Sequence, residues 1–302
     1  MSSMHLCFSA MSTDVGITVV DGDEHDLAWA QRRVIELEHR WSRFMPTSEI
    51  ARLNEAGGEP LDVSPDTVMA VRAACAAWVH TRGCFDPTVH DSLLRLGYDD
   101  SIEAVRDQRR EPSRPLIGTA GCEGVIYDED ALVVQFPPGV RFDLGGIGKG
   151  LAADVVATGL IERGARGALV NVGGDVRVTG EPASGDAWRV DVEDPRTEQV
   201  LVTLPLLDGG VATSTTLRRR WRLGQRAVHH LISPADGTPT DGNVVGVAVI
   251  AGTAAWADAL SKVPFVDPTR LDVFGATSAL VMHRDGSTSV IGRVDRLEPV
   301  AA

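Results

Sequence analysis

Arg141-Phe142-Asp143-Leu144-Gly145-Gly146-Ile147-Gly148-Lys149-Gly150 runs directly into the apolar stretch from Leu151 to Ile161. The first residues read as a strand, the glycines as a sharp turn, and the remainder as a helix reaching about Arg163. Free backbone N–H groups and the positive dipole end at such a helix start favour a phosphate, and Lys149 adds a full charge. The same run serves equally well as a glycine turn packing a helix tightly against a strand. Counting excludes two known phosphate loops. A Walker A loop needs Gly where Asp143 stands and Ser or Thr where Gly150 stands. The dinucleotide fingerprint beginning at Gly146 needs a third Gly where the chain has Leu151.

On either side of this stretch the periodicities differ. Upstream, Asp14 to Val20 alternates as a strand does, and Leu27, Ala30, Val34, Leu37 and Trp41 recur at helical spacing within Glu24 to Phe44. Ser64 as N-cap, Pro65 at the first helical position and Asp66 in the first turn open a second helix through Val79, which stops near Gly83. Between Gly124 and Phe136, two apolar segments flank Asp128-Glu129-Asp130 and predict a hairpin. Downstream, strands are expected at 168–178, 188–192, 200–204, around Trp221, and at 228–232, 244–251 and 279–283, with one helix from Ala254 to Pro264. Helices early and strands late predict an α+β fold with mixed or antiparallel sheets and packed helices, in two lobes. Asp107–Gly118 and Gly180–Asp186 read as loops, and no internal repeat is visible. The expected organisation is a tail over 1–10, a single domain over 11–295 and a second tail over 296–302.

The 302 residues are 43% hydrophobic and 24% charged, which suits a folded chain with a sizeable core. A formal net charge of −13 argues against nucleic acid as a partner, because phosphate neutralisation needs a basic stripe. No apolar run reaches the roughly 20 residues that span a bilayer. The start, MSSMHLCFSAM, lacks the basic and apolar regions of a signal peptide, and no lipobox is seen, so a cytoplasmic location is expected. Cys7, Cys75, Cys84 and Cys122 lack metal-type spacing and are expected as reduced thiols.

Three further segments bear on chemistry. Asn171-Val172-Gly173-Gly174-Asp175 ends a strand and turns, a task for which glycines are often purely structural. On a strand, His229 and His230 face opposite ways, so only one can enter a given cleft, and a histidine just before the Ser233-Pro234 turn is placed to act as a base. Asp258 and Lys262 stand four apart on one helix face, where a surface ion pair is worth a few tenths of a kcal/mol.

Together, and in this order, the segments resemble the ApbE family of FAD:protein FMN transferases. Met11-Ser12-Thr13 is similar to the family's Met-Gly-Thr, and Ser42-Arg43-Phe44-Met45-Pro46-Thr47-Ser48-Glu49 with Asn54 to its Ser-x-aromatic-x-Pro-x-Ser-Glu block. Phe85-Asp86-Pro87-Thr88-Val89 resembles its Phe-Asp-x-Thr-Val. Asp143–Gly150 resembles Asp-Leu-Gly-Gly-x-x-Lys-Gly, Asn171–Asp175 resembles Asn-x-Gly-Gly-Asp, and His230–Gly237 resembles His-x-Ile-Asp-Pro-x-x-Gly. Ala257-Asp258-Ala259-Leu260 resembles the opening of the family's metal-binding helix.

The resemblance implies an enzyme that takes FAD as substrate, moves FMN to a Thr or Ser hydroxyl of an acceptor flavoprotein and releases AMP. FAD hydrolysis to FMN and AMP, or FAD binding without turnover, are the alternatives. It implies His230 as catalytic base, and Met11, Phe44, Cys84, Phe85, Asp86, Asp143, Lys149 and Leu231 as FAD-binding residues. It places a divalent ion, Mg²⁺, on the Gly146 carbonyl, Asp258 and the position of Lys262. There the family's threonine is replaced by an ammonium that has no lone pair to donate. The chain also departs from the family pattern at Thr215, Ser233 and His90-Asp91, where Gly, Asp and Gly-Pro are usual.

Overall fold

Strict alternation from the second residue onward builds a hairpin of β1 (Ser3–Ala10) and β2 (Thr13–Val20). The structure, a computed structural model, describes residues 2–106, 109–110, 115–275, 277–292 and 298–299. The expected N-terminal tail is therefore mostly a strand. Met4, Leu6 and Phe8 alternate with polar neighbours and pack on the core, a period-two signal that the short segment carries by itself. At the hairpin tip Met11 and Ser12 both have positive φ, 53° and 54°, the conformation of a tight two-residue turn.

Next come α1 (Glu24–Trp41), α2 (Glu49–Glu55), β3 (Leu61–Asp62) and α3 (Pro65–His80). The α1 helix ends three residues before Phe44 because Ser42 turns extended, and Ser48 caps the short α2. Ser64 caps α3, whose N1 is Pro65, as its sequence predicts. Then follow α4 (His90–Arg95), α5 (Ile102–Arg106), β4 (Arg109–Arg110), β5 (Ile126–Asp128) and β6 (Val133–Gln135). The expected hairpin is β5 with β6, and β3 extends it. Residues 107–108 and 111–114 of the expected loop lie outside the described residues.

After the glycine loop come α6 (Gly148–Glu162), β7 (Gly167–Val172), β8 (Asp175–Gly180), β9 (Trp188–Glu193), β10 (Val200–Leu206), β11 (Gly209–Thr215), β12 (Arg220–Leu223), β13 (Arg226–His229) and β14 (Val244–Ala251). The chain closes with α7 (Ala254–Leu260), α8 (Val263–Val266), β15 (Ser278–His283), β16 (Thr288–Ile291) and β17 (Glu298–Pro299). The strand signal over 168–178 forms two strands, which meet at the expected Asn171–Asp175 turn, where Gly173 and Gly174 take positive φ. The expected helix 254–264 is also two, since Pro264 allows a helix only at its own first turn. Glu298–Pro299, within the expected C-terminal tail, pair with β10; residues 293–297 and 300–302 of that region lie outside the described residues.

An eight-stranded sheet in the order β1-β2-β7-β8-β11-β14-β15-β16 forms the frame, antiparallel at every pairing. Val15, Ile17 and Val19 of β2, with Ala168, Val170 and Val172 of β7, meet Val34 of α1 and Val156 and Leu160 of α6 on one face. On the other, Val176, Val211, Ile250 and Met282 meet Trp188, Val190, Val202 and Leu204 of the small β9–β10 sheet. Because α6 is covered nearly all round, its sequence lacks a polar stripe. Gly150 lets α6 touch α7 closely: a Cβ there would lie 2.4 Å from the Ala254 carbonyl oxygen. Among the described residues no helix is long and apolar enough to cross a membrane.

Candidate active site

The frame brings together segments that are remote in sequence. Met11 comes from the β1–β2 turn, Phe44 from beyond α1, and Cys84–Asp86 from beyond α3. Asp143 and Gly146 sit on the glycine loop, Lys149 in the first turn of α6, His230 and Leu231 just after β13, Asp258 in α7 and Lys262 beyond it. All of them line one cavity of about 520 Å³, a size that accommodates a dinucleotide-scale ligand.

At the loop end of the cavity, Asp143 Oδ1 accepts from Gly145 N at 2.6 Å and Oδ2 accepts from Arg43 Nε at 2.7 Å. The Arg43 guanidinium lies over the rings of Phe44 and Tyr98, 4.0 and 4.7 Å from their centroids. Its Nη2 is buried without a partner. Asp86 is engaged on both oxygens, by Thr88 N, Thr88 Oγ1 and Thr119 Oγ1 at 2.8, 2.7 and 2.6 Å. It therefore fixes the wall segment, and burial raises its carboxyl pKa despite those donors. Burial likewise pushes the Cys84 thiol up, so this cysteine contributes packing and is unsuited to nucleophilic work.

Two lysines and two aspartates form the floor. Lys149 Nζ contacts Asp175 Oδ2 and lies 3.7 Å from Asp258 Oδ2. Lys262 Nζ donates to Asp258 Oδ1 and, at 2.7 Å, to the Asp258 carbonyl oxygen, with Ser261 Oγ at 3.3 Å. The Asp258–Lys262 pair is thus a buried floor contact, not the exposed helix-face pair its spacing suggests; Asp258 is 1% exposed. Burial alone would lower the Lys149 pKa, but Asp175 and Asp258 outweigh it and hold the ammonium charged. Burial would raise Asp258, yet the two lysines keep it below the usual carboxylate range. Asp175 is pushed up to about 6 by burial and by its neighbour Asp258.

The two histidines separate as alternation requires, although the strand itself stops at His229. His229 Nε2 faces the Thr240 carbonyl oxygen at 3.0 Å, away from the floor. His230 lines the cavity, and its Nδ1 is buried without a partner. Burial, with the cations Arg219 and Lys262 nearby, holds its pKa well below the ordinary histidine value, so the ring is neutral at neutral pH. A neutral imidazole, two ammonium groups and the open start of α6 can together bind a phosphate anhydride and accept a proton beside it.

The donor set does not suit a divalent ion. Of the three positions expected to bind it, Gly146 offers a carbonyl and Asp258 a carboxylate, but residue 262 fills that space with a cation. A Cβ at Gly146 would come within 3.3 Å of Lys262 Cε. Among the described residues, no group of three or more His, Cys, Asp or Glu is arranged to hold a metal.

Sequence reasoning passed over Arg43 and Asp175 as site residues. Asp175 lies inside the second glycine turn, and its pairing with Lys149 bridges β8 to α6, which adjacency along the chain cannot reveal. Arg43 sits between Ser42 and Phe44, within the quoted block, and its partner Asp143 is on another segment.

Residues 11–273 match the ApbE family. The FAD:protein FMN transferase of Salmonella typhimurium is 35% identical over 252 residues, 81% of this chain and 70% of its own length. That of Vibrio cholerae is 28% identical over 85% of this chain and 79% of its own. Among solved structures, the ApbE protein from Thermotoga maritima superposes with a TM-score of 0.82 at 29% identity, over 95% of this chain and 96% of that one. The flavin transferase ApbE from Vibrio cholerae superposes with a TM-score of 0.77 at 23% identity over 96% of each chain, a likeness of fold.

Proposed function

This chain belongs to the ApbE family, and on that premise we propose that it is an FAD:protein FMN transferase acting on a Thr or Ser hydroxyl of an acceptor flavoprotein. The observation that carries the assignment of roles is the convergence of Lys149, the start of α6, Lys262 and a neutral His230 on one cavity. In this reading the glycine loop and Lys149 take the FAD pyrophosphate, as free N–H groups and a fixed cation at a helix start favour. Phe44, Phe85 and Leu231 supply apolar walls, and Asp143, held by Arg43, orients the nucleotide.

The acceptor hydroxyl oxygen attacks the FMN-side phosphorus while its proton passes to His230. The bond from that phosphorus to the bridging oxygen breaks, and AMP leaves with the oxygen. The products are a phosphoester-linked FMN on the acceptor and free AMP. Phosphoryl transfer asks the protein mainly for positioning and positive charge, and the floor offers both. Lys149 and Lys262 provide that charge here, and the reading assigns no role to a divalent ion.

The test is co-expression with candidate flavoproteins, followed by mass spectrometry of each for an added FMN, and assay of AMP after incubation with FAD. FMN on an acceptor together with AMP supports the transferase. Release of FMN and AMP into solution with no acceptor labelled favours the hydrolase, and FAD bound without AMP release favours a binding protein.

A further inference from the structure

We propose that the Lys262 ammonium is the built-in cation of this site, standing where a divalent ion would otherwise sit and making FAD binding independent of metal. The inference rests on the FAD reading above and deepens it.

Three observations carry it. Oxygen atoms surround Nζ: Asp258 Oδ1, the Asp258 carbonyl at 2.7 Å and Ser261 Oγ at 3.3 Å. Two of those oxygens are themselves held, since Ser261 Oγ donates to the Asp258 carbonyl at 2.7 Å and lies 2.7 Å from Ser214 Oγ; the Asp258 carboxylate is held by the lysines, its Oδ2 having no hydrogen-bond partner among the described residues. A set of oxygens around one positive charge is the arrangement a cation seat requires, and here the charge is covalently tethered.

The stem is also fitted. Lys262 Cε lies 3.3 Å from where a Cβ at residue 146 would be, and Phe85 lies 3.1 Å from the same point. Glycine at 146 therefore leaves the room through which the side chain reaches the floor. The third observation is charge. Lys149 Nζ is 3.7 Å from Asp258 Oδ2, so a divalent ion on Asp258 would face two ammonium groups at contact range. Lys262 has three N–H bonds to give. Two are directed at Asp258, and the third has only the long contact to Ser261, so it is free to turn to a phosphate oxygen arriving beside the glycine loop.

The experiment uses the full chain as purified. FAD affinity is measured by flavin fluorescence in EDTA and in excess Mg²⁺ for wild type, Lys262→Thr and Lys262→Gln, and Mn²⁺ is titrated against each by electron paramagnetic resonance with FAD present. Wild type is expected to bind FAD equally in both media and to show no bound Mn²⁺. Lys262→Thr should bind FAD roughly 10- to 100-fold more weakly in EDTA, the loss of one charge-assisted contact. Mg²⁺ should restore it, and a bound Mn²⁺ signal should appear. Lys262→Gln, whose amide carbonyl also offers an oxygen to Mg²⁺, should respond in the same direction as Lys262→Thr.

Wild-type FAD affinity that falls tenfold or more in EDTA, or bound Mn²⁺ in the wild type, overturns the inference and leaves the FAD reading standing. Absence of FAD binding by the folded wild type in both media overturns that reading itself. The wild-type arms decide the matter even if a substitution prevents folding.

Discussion

His230 and Lys149 show how the surroundings of a side chain, more than its type, set its use. Burial and neighbouring cations keep the His230 ring neutral, so it can accept a proton throughout the neutral range although it is a weak base. Replacing it with Ala should lower FMN transfer by about 10²–10⁴ while FAD affinity stays within a few-fold. His229→Ala, whose ring meets Thr240, should transfer at close to the wild-type rate; the reverse ranking would place the base on the other ring. Because burial and nearby cations hold the His230 pKa well below the ordinary histidine value, the wild-type rate is expected to be level from pH 7 to pH 8. A change centred near pH 6 should come from Asp175, which is pushed up to about 6 beside Lys149, and be absent in Asp175→Asn. A steep fall centred near pH 6.5 that persists in Asp175→Asn would contradict this assignment. Lys149 is held charged by Asp175 and Asp258, and Lys149→Ala should weaken FAD binding by roughly 10- to 100-fold, a charge-assisted contact. Calorimetric titration of a variant shown by circular dichroism to be folded checks this, and unchanged affinity would reduce the loop to a packing turn.

At the scale of elements, α6 and α7 are joined by a carboxylate in the body of one helix that caps the other. Asp154 Oδ1 and Oδ2 accept from Ala254 N and Ala255 N, each at 2.8 Å, which sets the start of the helix carrying Asp258. Burial raises the Asp154 pKa to about 6 in spite of these donors. A folded-state pKa above the unfolded value means that the native state gains relative stability as pH falls from about 6 toward 4 and loses it as pH rises through 6. Asp154→Asn lacks this response, so the wild type should gain about 1 kcal/mol on the variant between pH 7.5 and pH 5.0. Urea unfolding of both proteins at the two pH values measures it, and a difference that does not change with pH would show that Asp154 is not titrating there. The elements themselves were legible wherever one local signal dominated. Ser64-Pro65-Asp66 marked the start of α3, and Val244–Ala251 was apolar enough to mark a central strand with its limits. By contrast, β11 (GGVATST) begins with two glycines and carries small polar residues, and its burial between β8 and β14 comes from the sheet alone. The short α2 is set by the Ser48 cap, which a seven-residue window barely reveals.

Over the whole molecule, the residues that the family resemblance singles out all line one cavity, but the pairings that bind them together were not legible. Lys149 with Asp175, and Arg43 with Asp143, join segments 26 and 100 positions apart, and only the packing of α1 and α6 together and on the large sheet makes them neighbours. That packing also explains why the cavity has walls from every part of the chain: the β1–β2 turn, the end of α1, the start of α6, the turn after β13 and the region around α7. A ligand filling it contacts elements from both faces of the frame and can bind tightly only when all are folded together. FAD at about 100 times its dissociation constant should therefore add about 2.7 kcal/mol to the unfolding free energy, raising the melting temperature of a chain this long by about 5 °C. AMP or FMN alone reaches fewer of these walls and should give a smaller shift at equal concentration. Scanning fluorimetry or calorimetry over a ligand series reads both effects, and the transition is expected to move as a whole. An FAD shift no larger than that of AMP would mean that the flavin end lies outside the cavity. A shift confined to one of two separated transitions would mean that the walls do not fold as one unit.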